Sequence, residues 1–303
     1  MFTRFPRCRL PRWRNWLMLC LLGLPGLVTL PARAAQTPAA ASAAPAAARP
    51  ALVRVADSRL LAPDIARISE RGELIVAMLN TDTPPFFYAK NGELIGLEVD
   101  IARDLARELN VKLRITRQAR TFNDVVDIVA RQEADLGISK LSRTLARAQL
   151  IRFSDPYLKL NHALVLNRLQ LANLAKDEPI QSVVRKFKGS IGVIANSAFA
   201  SYATRNFPGA QVKGYPSWND VINAVEKGEV TGAYRDEFEI KRLLKSNPTA
   251  SLTLRTVTLK DLEDTLGIAV GVGDPVLLAF VNQYLSQRPE KLDIDKVLQA
   301  TPQ

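Results

Sequence analysis

A repeated segment of eleven residues constrains the fold of this chain more than any other feature. It occurs at 121–131 as TFNDVVDIVAR and again at 217–227 as SWNDVINAVEK, an offset of 96 residues. An Asn, an Asp and two Val recur at the same places, and each copy opens with a hydroxyl residue followed by an acid at capping-box spacing. Apolar residues then follow at helical spacing in both copies. We therefore expect two related halves, each built around one amphipathic helix.

A short apolar strand is predicted on either side of each repeated helix. In the first half these strands cover 74–79 and 135–139, and in the second half they cover 191–194 and 230–236. The agreement of cap, helix and strand favours a duplication over a chance likeness between two amphipathic helices. Each half is therefore predicted to be a βαβ unit with a mostly parallel sheet.

The carboxyl ends of the predicted strands form the predicted ligand site, because parallel sheets bind ligands there. The first half ends in Ser139–Ser142 and is followed by Arg147, while the second half ends in Arg235 and Asp236. A guanidinium group matches a carboxylate with two parallel hydrogen bonds. If the halves face each other, Arg147 would bind the carboxylate of a small zwitterion and Asp236 its ammonium. The alternative for Arg147 is a solvated helix face that follows an N-capping Thr144.

The first 34 residues are typical of an export signal. Arginines precede an apolar run at 16–30, and Ala32-Arg33-Ala34 is typical of a cleavage site. The apolar run is shorter than the roughly 20 residues of a transmembrane helix, and a retained membrane anchor is the alternative. Residues 35–52 form an Ala/Pro-rich tether that we expect to be disordered. We therefore predict an exported, periplasmic protein whose signal peptide, residues 1–34, is cleaved near Ala34.

The composition of the mature chain argues against several classes of function. The leader holds six arginines and no acid, so the mature chain has 35 basic and 30 acidic residues. This balance lacks the large basic excess that is typical of nucleic-acid-binding proteins. Cys8 and Cys20 both lie in the leader, and His162 is the only histidine. We therefore predict no thiol or Ser-His catalysis, no metal site and no cofactor. We expect His162 to be structural or to lie on the surface.

A series of motifs spans nearly all of the chain beyond the tether. In chain order the motifs are Gly72–Ala77, Thr81–Tyr88, Gly96–Ala102, Ser139–Ser142 with Thr144 and Arg147, Phe153–Tyr157, Gly189–Ile194, Asp236, Leu266–Val270 and Gly273–Pro275. In order and spacing they resemble the family 3 extracellular solute-binding proteins, the periplasmic receptors of polar amino-acid ABC importers. The resemblance implies an α/β fold of the type II venus-flytrap kind, with two lobes that are each a mixed, mostly parallel sheet flanked by helices. Residues 53–158 and 266–303 would form lobe 1, and residues 159–265 would form lobe 2.

By position, the resemblance also implies roles for individual residues in a cleft between the lobes. Arg147 would clamp an α-carboxylate with Ser142 beside it, and Asp236 would take an α-ammonium. Asp82 and Phe86 would line the side-chain pocket. The full predicted ligand-binding set is Asp82, Phe86, Lys140, Leu141, Ser142, Arg147, Ser197, Ala198 and Asp236.

The chain departs from the family pattern within this predicted site. Asn196–Ala198 stands where the family commonly has Gly-Thr-Thr or Gly-Ser-Thr, so Ala198 lacks a hydroxyl that would hold the carboxylate at a helix N-terminus. Lys140 stands where a small or polar residue is more usual, and Arg235 precedes the predicted ammonium-binding aspartate. Two such cations would suit an acidic ligand, or they could face solvent, which is the position we expect for Lys140.

The predicted function is that of a periplasmic receptor that captures a small zwitterion, above all an amino acid. It would deliver this ligand to the membrane permease of an ABC importer, and we expect a monomer without enzyme activity. One alternative is a cyclohexadienyl dehydratase-like enzyme on the same fold, with Glu237 or Glu239 as the acid. Another alternative is a ligand-sensing receptor for a separate membrane partner.

Overall fold

The computed structural model describes residues 51–302. The predicted leader and the tether as far as residue 50 lie outside the described residues. The strands are β1 Val53–Arg54, β2 Leu60–Leu61, β3 Glu73–Leu79, β4 Tyr88–Lys90, β5 Glu93–Ile95, β6 Lys112–Ala119, β7 Leu136–Gly137, β8 Arg152–Phe153, β9 Leu158–Asn167, β10 Ser190–Ile194, β11 Gln211–Tyr215, β12 Gly232–Asp236, β13 Leu254–Leu266 and β14 Ala269–Val270. The helices are α1 Pro63–Arg71, α2 Leu97–Glu108, α3 Phe122–Ala130, α4 Arg168–Ala175, α5 Ile180–Arg185, α6 Ala198–Asn206, α7 Trp218–Glu226, α8 Glu237–Ser246, α9 Ala250–Thr253, α10 Pro275–Gln287 and α11 Ile294–Gln299, with a turn of 3-10 helix at Arg147–Gln149.

Two five-stranded sheets form the framework, and their strand orders follow one plan. The first sheet has the order β6-β3-β7-β14-β8, and the second has the order β11-β10-β12-β9-β13. In each sheet the first three strands are parallel, and the fourth pairs antiparallel with both of its neighbours. The predicted α/β fold with two lobes and mixed, mostly parallel sheets is confirmed.

The repeated segments form α3 and α7, which lead into the third strand of their respective sheets. In α3 the Thr121 hydroxyl accepts the Asp124 N–H at 3.1 Å, and the Asp124 carboxylate accepts the Thr121 N–H at 3.0 Å, which completes the capping box. In α7 the Ser217 hydroxyl accepts the Asp220 N–H at 3.2 Å and donates to the Asp220 carboxylate at 2.7 Å, as the Thr121 hydroxyl does to Asp124 at 2.8 Å. Within residues 51–302 the return bond to the Ser217 N–H is absent, so this second box is half formed.

Strands β9 and β13 connect the two sheets. They pair antiparallel along their length, from Leu158 opposite Leu266 to Asn167 opposite Leu254. Both strands belong to the second sheet, whereas Leu158, Leu160 and Leu266 pack in the core of the first. The predicted lobe boundaries at 158–159 and 265–266 coincide with the ends of these strands, and as boundaries they stay predictions.

Alternating side chains of the central strands bury both faces of each sheet. Alternate residues of Leu74–Met78 on β3 enter two different apolar cores. Alternate residues of Ala163–Leu166 on β9 do the same in the second sheet. Apolar side chains on both faces are typical of strands that helices cover on both sides. The packed sheets thereby fix the ends of β7 and β12, and Lys140, three residues after β7, meets Asp236 at the end of β12.

Candidate functional site

The two sheets bring residues from both lobes around one small cavity. Its wall consists of Phe122, Lys140, Ser142, Arg147, Ile194, Ser197, Ala198, Phe199, Tyr234, Arg235, Asp236, Asp264 and Leu266. Six of the nine predicted ligand-binding residues are among them. The free volume is about 20 Å³, about the space that one water molecule needs. A solute can therefore enter only if the lobes separate or the side chains of the wall move.

Arg147 is a buried cation in this wall. Its Nε and Nη2 donate to Asn123 Oδ1 at 3.2 and 3.1 Å, and its Nη1 donates to the carbonyl oxygen of Ser142 at 3.1 Å. Burial lowers the pKa of Arg147 from its ordinary value, while the nearby Asp264 opposes that shift. No carboxylate within residues 51–302 lies within 4.0 Å of the guanidinium nitrogens. A buried guanidinium without a carboxylate partner favours the binding of an anion.

Lys140 lies inside the site, so our expectation that it faces solvent is wrong. Its side chain is only 2% exposed, and its Nζ lies 3.0 Å from Asp236 Oδ2 and 2.7 Å from Glu239 Oε1. The rings of Phe86 and Phe238 have their centres 5.1 and 5.0 Å from Nζ. Two carboxylates and two aromatic faces thus replace the hydration that the ammonium loses on burial. Asp236, the predicted acceptor for a ligand ammonium, accepts an ammonium of the protein itself.

Ser142 contacts a buried carboxylate that the sequence analysis missed. Its hydroxyl donates to Asp264 Oδ2 at 2.9 Å, and the Tyr202 hydroxyl donates to Asp264 Oδ1 at 3.4 Å. Burial raises the pKa of Asp264 to about 6, against the opposing effect of the Ser142 hydrogen bond. Asp264 lies in the charged stretch KDLED at 260–264, where the sequence does not distinguish it from surface acids.

Ser197 and Ala198 lie at the start of α6, on the lobe 2 side of the cavity. Ser197 is the N-cap residue, yet its hydroxyl donates to the carbonyl oxygen of Ile194 at 2.7 Å and caps no helix N–H within the described chain. The N–H groups of the first helical turn carry partial positive charge that favours an anion at this end. Lobe 2 therefore contributes backbone donors to the site.

Two predicted ligand-binding residues, Phe86 and Leu141, are fully buried and line no part of this cavity. Phe86 packs edge-on against Phe238 with ring centres 5.4 Å apart, in the core of lobe 1. Leu141 packs in the apolar cluster that α3 covers. Large apolar side chains of this kind gain stability by filling a core, and a ligand contact at Phe86 or Leu141 stays a prediction.

A second cavity of about 260 Å³ adjoins the first and shares Arg235 with its wall. Asp82, a predicted residue of the side-chain pocket, borders this second cavity and not the first. Its Oδ1 accepts a hydrogen bond from Arg117 Nη2 at 3.0 Å. Burial raises the pKa of Asp82, but the Ala89 N–H and the Arg117 guanidinium outweigh that effect and lower it. Asp82 is therefore already paired with a cation of its own lobe.

Cations outnumber carboxylates in the wall of the second cavity. The charged residues there are Asp82, Arg120, Arg235, Glu239 and Arg242. The carboxylate of Glu239 pairs with Arg242 at 2.8 Å as well as with Lys140. The Arg235 guanidinium lies 5.3 Å from the ring centre of Trp218. Trp218 is the aromatic residue of the second repeat, so the repeated segment contributes directly to the wall of this cavity.

His162 is buried in an aromatic cluster beside the cavity. Its Nδ1 contacts the Tyr234 hydroxyl, and its ring packs against Phe199 and Tyr202 with centres 5.0 and 4.9 Å away. Burial lowers the pKa of His162 to about 4, with an opposing effect from Asp236. The imidazole is therefore neutral at neutral pH.

Glu239 and Glu237, the candidate acids of an enzyme, are both held by the protein. Burial raises the pKa of Glu239, but the charges of Lys140, Arg235 and Arg242 outweigh that effect and hold it far below its ordinary range. Glu239 therefore stays ionised and cannot donate a proton near neutral pH. Glu237 accepts two hydrogen bonds from strand β9. Glu239 thus lacks the protonated, desolvated state that an acid catalyst needs.

One known protein family matches most of this chain. The family described as bacterial extracellular solute-binding proteins, family 3, matches residues 74–300. This chain belongs to that family. Membership agrees with the two-lobed fold and with a polar cavity between the lobes. Within residues 51–302, no helix has both the length and the apolar character that a membrane crossing needs.

Individual relatives and solved structures are similar to this solute-binding protein over most of its length. The ABC transporter arginine-binding protein 1 of Escherichia coli (strain K12) is 24% identical over 205 residues, which is 67% of this chain and 80% of the relative. The lysine/arginine/ornithine-binding periplasmic protein of the same strain is 25% identical over 213 residues, which is 68% of this chain and 78% of the relative. A putative binding component of an ABC transporter from Wolinella succinogenes DSM 1740, complexed with lysine, aligns with a TM-score of 0.63 at 22% identity, covering 76% of this chain and 96% of that one. An ancestral amino-acid-binding protein, a precursor of cyclohexadienyl dehydratase, aligns with a TM-score of 0.62 at 24% identity, covering 78% of this chain and 97% of that one.

Proposed function

We propose that the mature protein is a periplasmic receptor that binds a small, carboxylate-bearing solute of the amino-acid class between its lobes and delivers it to an ABC importer. One observation carries this proposal: Arg147 is a buried guanidinium in a cavity between the lobes, and no carboxylate of the described chain pairs with it. The relatives named for binding arginine, lysine and ornithine support the same class of solute. Export to the periplasm is supported by the predicted leader, with cleavage near Ala34.

The solute would bind by bridging the two lobes. Arg147 and Ser142 belong to lobe 1, whereas Ser197 and the first turn of α6 belong to lobe 2. A carboxylate between them would accept hydrogen bonds from the guanidinium on one side and from backbone N–H groups on the other. These contacts are complete only when the lobes are closed, so the solute would stabilise the closed state. The closed receptor would then be the form that the permease recognises.

A thermal-shift survey of the common amino acids, polyamines and dicarboxylates tests this proposal. A ligand at a hundred times its Kd raises the free energy of unfolding by about 2.7 kcal/mol, which is a readily measured rise in melting temperature. If none of these compounds raises the melting temperature of the mature protein, the proposal is contradicted.

Arg147→Ala and Arg147→Lys test the role of the guanidinium in the same assay. We expect both variants to stay folded and to weaken binding by about 100-fold or more, since Lys keeps the charge but loses the bidentate fork. Arg152→Ala, at an exposed arginine in the same lobe, is the matched control and should bind as the wild type does. Near-native affinity in Arg147→Ala would remove the observation on which the proposal rests.

Delivery to a permease and the monomeric state need separate measurements. Light scattering on the mature protein should give the mass of one chain, both with and without solute. Deletion of the gene should abolish uptake of the identified solute by the cells. Uptake that persists while a response to the solute is lost would favour a sensing receptor instead.

A further inference from the structure

Lys140 and Arg235 together indicate which class of solute the cavity takes. We infer that Lys140 substitutes for the ammonium group of the solute at Asp236, and that the solute is a dicarboxylate whose two anionic groups bind Arg147 and Arg235. This inference rests on the proposed function, because it concerns the same cavity. It goes further by naming the charge of the solute and the residues that determine it.

Both carboxylate oxygens of Asp236 already have a donor within the protein. Oδ2 accepts from Lys140 Nζ at 3.0 Å, and Oδ1 accepts from the Glu239 N–H at 3.1 Å. A solute ammonium at Oδ2 would displace Nζ and leave the buried Lys140 with Glu239 alone. Removing one partner from a buried ion pair is costly, because the remaining charge cannot recover its hydration. An α-ammonium group on the solute therefore gains little at this site.

Arg235 is a buried cation with a side-chain donor that no residue of the described chain uses. Its side chain is only 9% exposed, and its Nε has no hydrogen-bond partner within residues 51–302. The nearest carboxylate oxygens, on Asp236 and Glu239, lie 3.7 and 3.8 Å away, which is too far for hydrogen bonds. The Trp218 ring supports the guanidinium from one side. Because Arg235 lines both cavities, a solute that binds Arg147 can reach it with a second anionic group.

The charges of the two cavity walls agree with an anionic solute. Together the walls carry five cations and four carboxylates. Three of the carboxylates are matched by cations of the protein, Asp236 and Glu239 by Lys140 and Asp82 by Arg117. A cationic solute would find no unmatched carboxylate except Asp264, which lies beside Arg147 in the small cavity. This chain therefore differs in charge preference from the relatives that are named for arginine and lysine.

Two kinds of solute share this chemistry, acidic amino acids and simple dicarboxylic acids. On our inference the amine adds nothing to affinity, because Lys140 already supplies an ammonium to Asp236. Matched pairs that differ only in the amine should therefore bind alike, or the acid without the amine should bind more tightly. The acid of each pair that binds more tightly shows whether the solute is an acidic amino acid or a simple dicarboxylic acid.

Isothermal titration calorimetry of the mature wild-type protein tests the inference directly. The probes are aspartate and succinate, glutamate and glutarate, and arginine. We expect at least one dicarboxylate to bind, its amine to improve affinity by less than about tenfold, and arginine to bind at least about tenfold more weakly. An amine that improves affinity by about tenfold or more, or a preference for arginine, would overturn the inference.

Lys140→Ser tests whether the Lys140 ammonium takes the place of a solute ammonium at Asp236. The variant frees Asp236, so the affinity ratio of aspartate to succinate should rise by at least about tenfold relative to the wild type. Lys112→Ser, at an exposed lysine on β6, is the matched control and should leave the ratio unchanged. If Lys140→Ser does not fold, Lys140→Met, which keeps the length and removes the charge, should shift the ratio in the same direction. An unchanged ratio in a folded Lys140 variant would overturn the inference.

Arg235→Gln tests the second anion-binding group. We expect this variant to weaken binding of the preferred dicarboxylate by about tenfold or more, while Arg152→Gln leaves it unchanged. Wild-type affinity in Arg235→Gln would exclude Arg235 from the site.

The outcomes also separate this inference from the proposed function. A protein that binds an amino acid with an amine preference independent of Lys140 would contradict the inference and leave the proposed function intact. A protein that binds none of the amino acids or dicarboxylates would contradict both.

Discussion

The backbone N–H of Lys140 donates a hydrogen bond to Glu98 Oε1 at 2.8 Å, although 42 positions separate the two residues. The Tyr157 hydroxyl donates to the same oxygen, and Glu98 is fully buried near the start of α2. Lys140 has a φ of 47°, in the left-handed region that residues other than glycine rarely adopt. Glu98 therefore anchors the unusual backbone of the residue whose side chain reaches Asp236.

Glu98→Gln should change how stability depends on pH. Burial raises the pKa of Glu98 from 4.5 to about 7, against the hydrogen bonds from Tyr157 and Lys140. The folded state thus binds this proton more tightly than the unfolded state, so the stability from this group is present below pH 4.5 and is lost as the pH rises through 7. The free energy of unfolding of the variant, relative to the wild type, should rise by up to about 3 kcal/mol over that window.

Urea unfolding at a series of pH values measures this difference. Glu108→Gln, at an exposed position near the other end of α2, controls for the loss of a helical carboxylate. A Glu98→Gln difference that stays constant from acid to neutral pH would contradict the assigned titration.

His162→Gln should change the pH dependence of the free energy of unfolding in the direction opposite to Glu98→Gln. Burial lowers the pKa of His162 from 6.5 to about 4, with Asp236 opposing the shift and Arg205 reinforcing it. The folded state resists protonation, so the stability from this group is present above pH 6.5 and is lost as the pH falls through 4. The variant should therefore lose up to about 3 kcal/mol less than the wild type on acidification through this range. The same series of urea unfolding measurements gives this difference. An equal loss of stability on acidification in the wild type and in His162→Gln would contradict the prediction.

The framework of the fold could be predicted because its signals are local and periodic. The repeat predicted α3 and α7. The apolar runs predicted β3 and β12, which are central strands with buried side chains on both faces of their sheets. Strands β6 and β11 were missed because they are edge strands, half exposed and interrupted by charged or glycine residues. An edge strand needs little apolar surface, so its sequence resembles that of a loop.

The positions of site residues could be predicted, but the directions of their side chains could not. Arg147 and Asp236 follow strand ends, and the topology brings strand ends of the two lobes together. Lys140 was expected in solvent because a lone lysine is rarely buried. Its burial depends on Asp236 and Glu239, which lie 96 and 99 residues away, and no pattern near Lys140 reveals them. Asp264 was missed for the same reason, since its burial is a tertiary property.

The two caps of the repeated helices should contribute unequally to stability. Thr121→Ala removes one half of a complete capping box and should lower the free energy of unfolding by about 1.5 kcal/mol. Ser217→Ala removes a cap whose return bond is absent in the described chain and should cost about 0.5 to 1 kcal/mol. Urea unfolding of both variants at one pH compares them. Equal or reversed costs would show that the reciprocal bond in α3 adds no stability.

The ion pair between Lys140 and Asp236 should hold the lobes together before any solute binds. Asp236→Asn leaves a buried ammonium with one carboxylate partner, so it should lower the free energy of unfolding by about 3 kcal/mol and increase the radius of gyration in small-angle scattering. Lys140→Met combined with Asp236→Asn should cost less than the sum of the single changes, with a coupling of about 1 kcal/mol or more. Asp177→Asn, at an exposed acid of lobe 2, controls for the loss of a carboxylate. Additive costs with an unchanged radius would mean that this pair does not join the lobes, and closure would then depend on the solute alone.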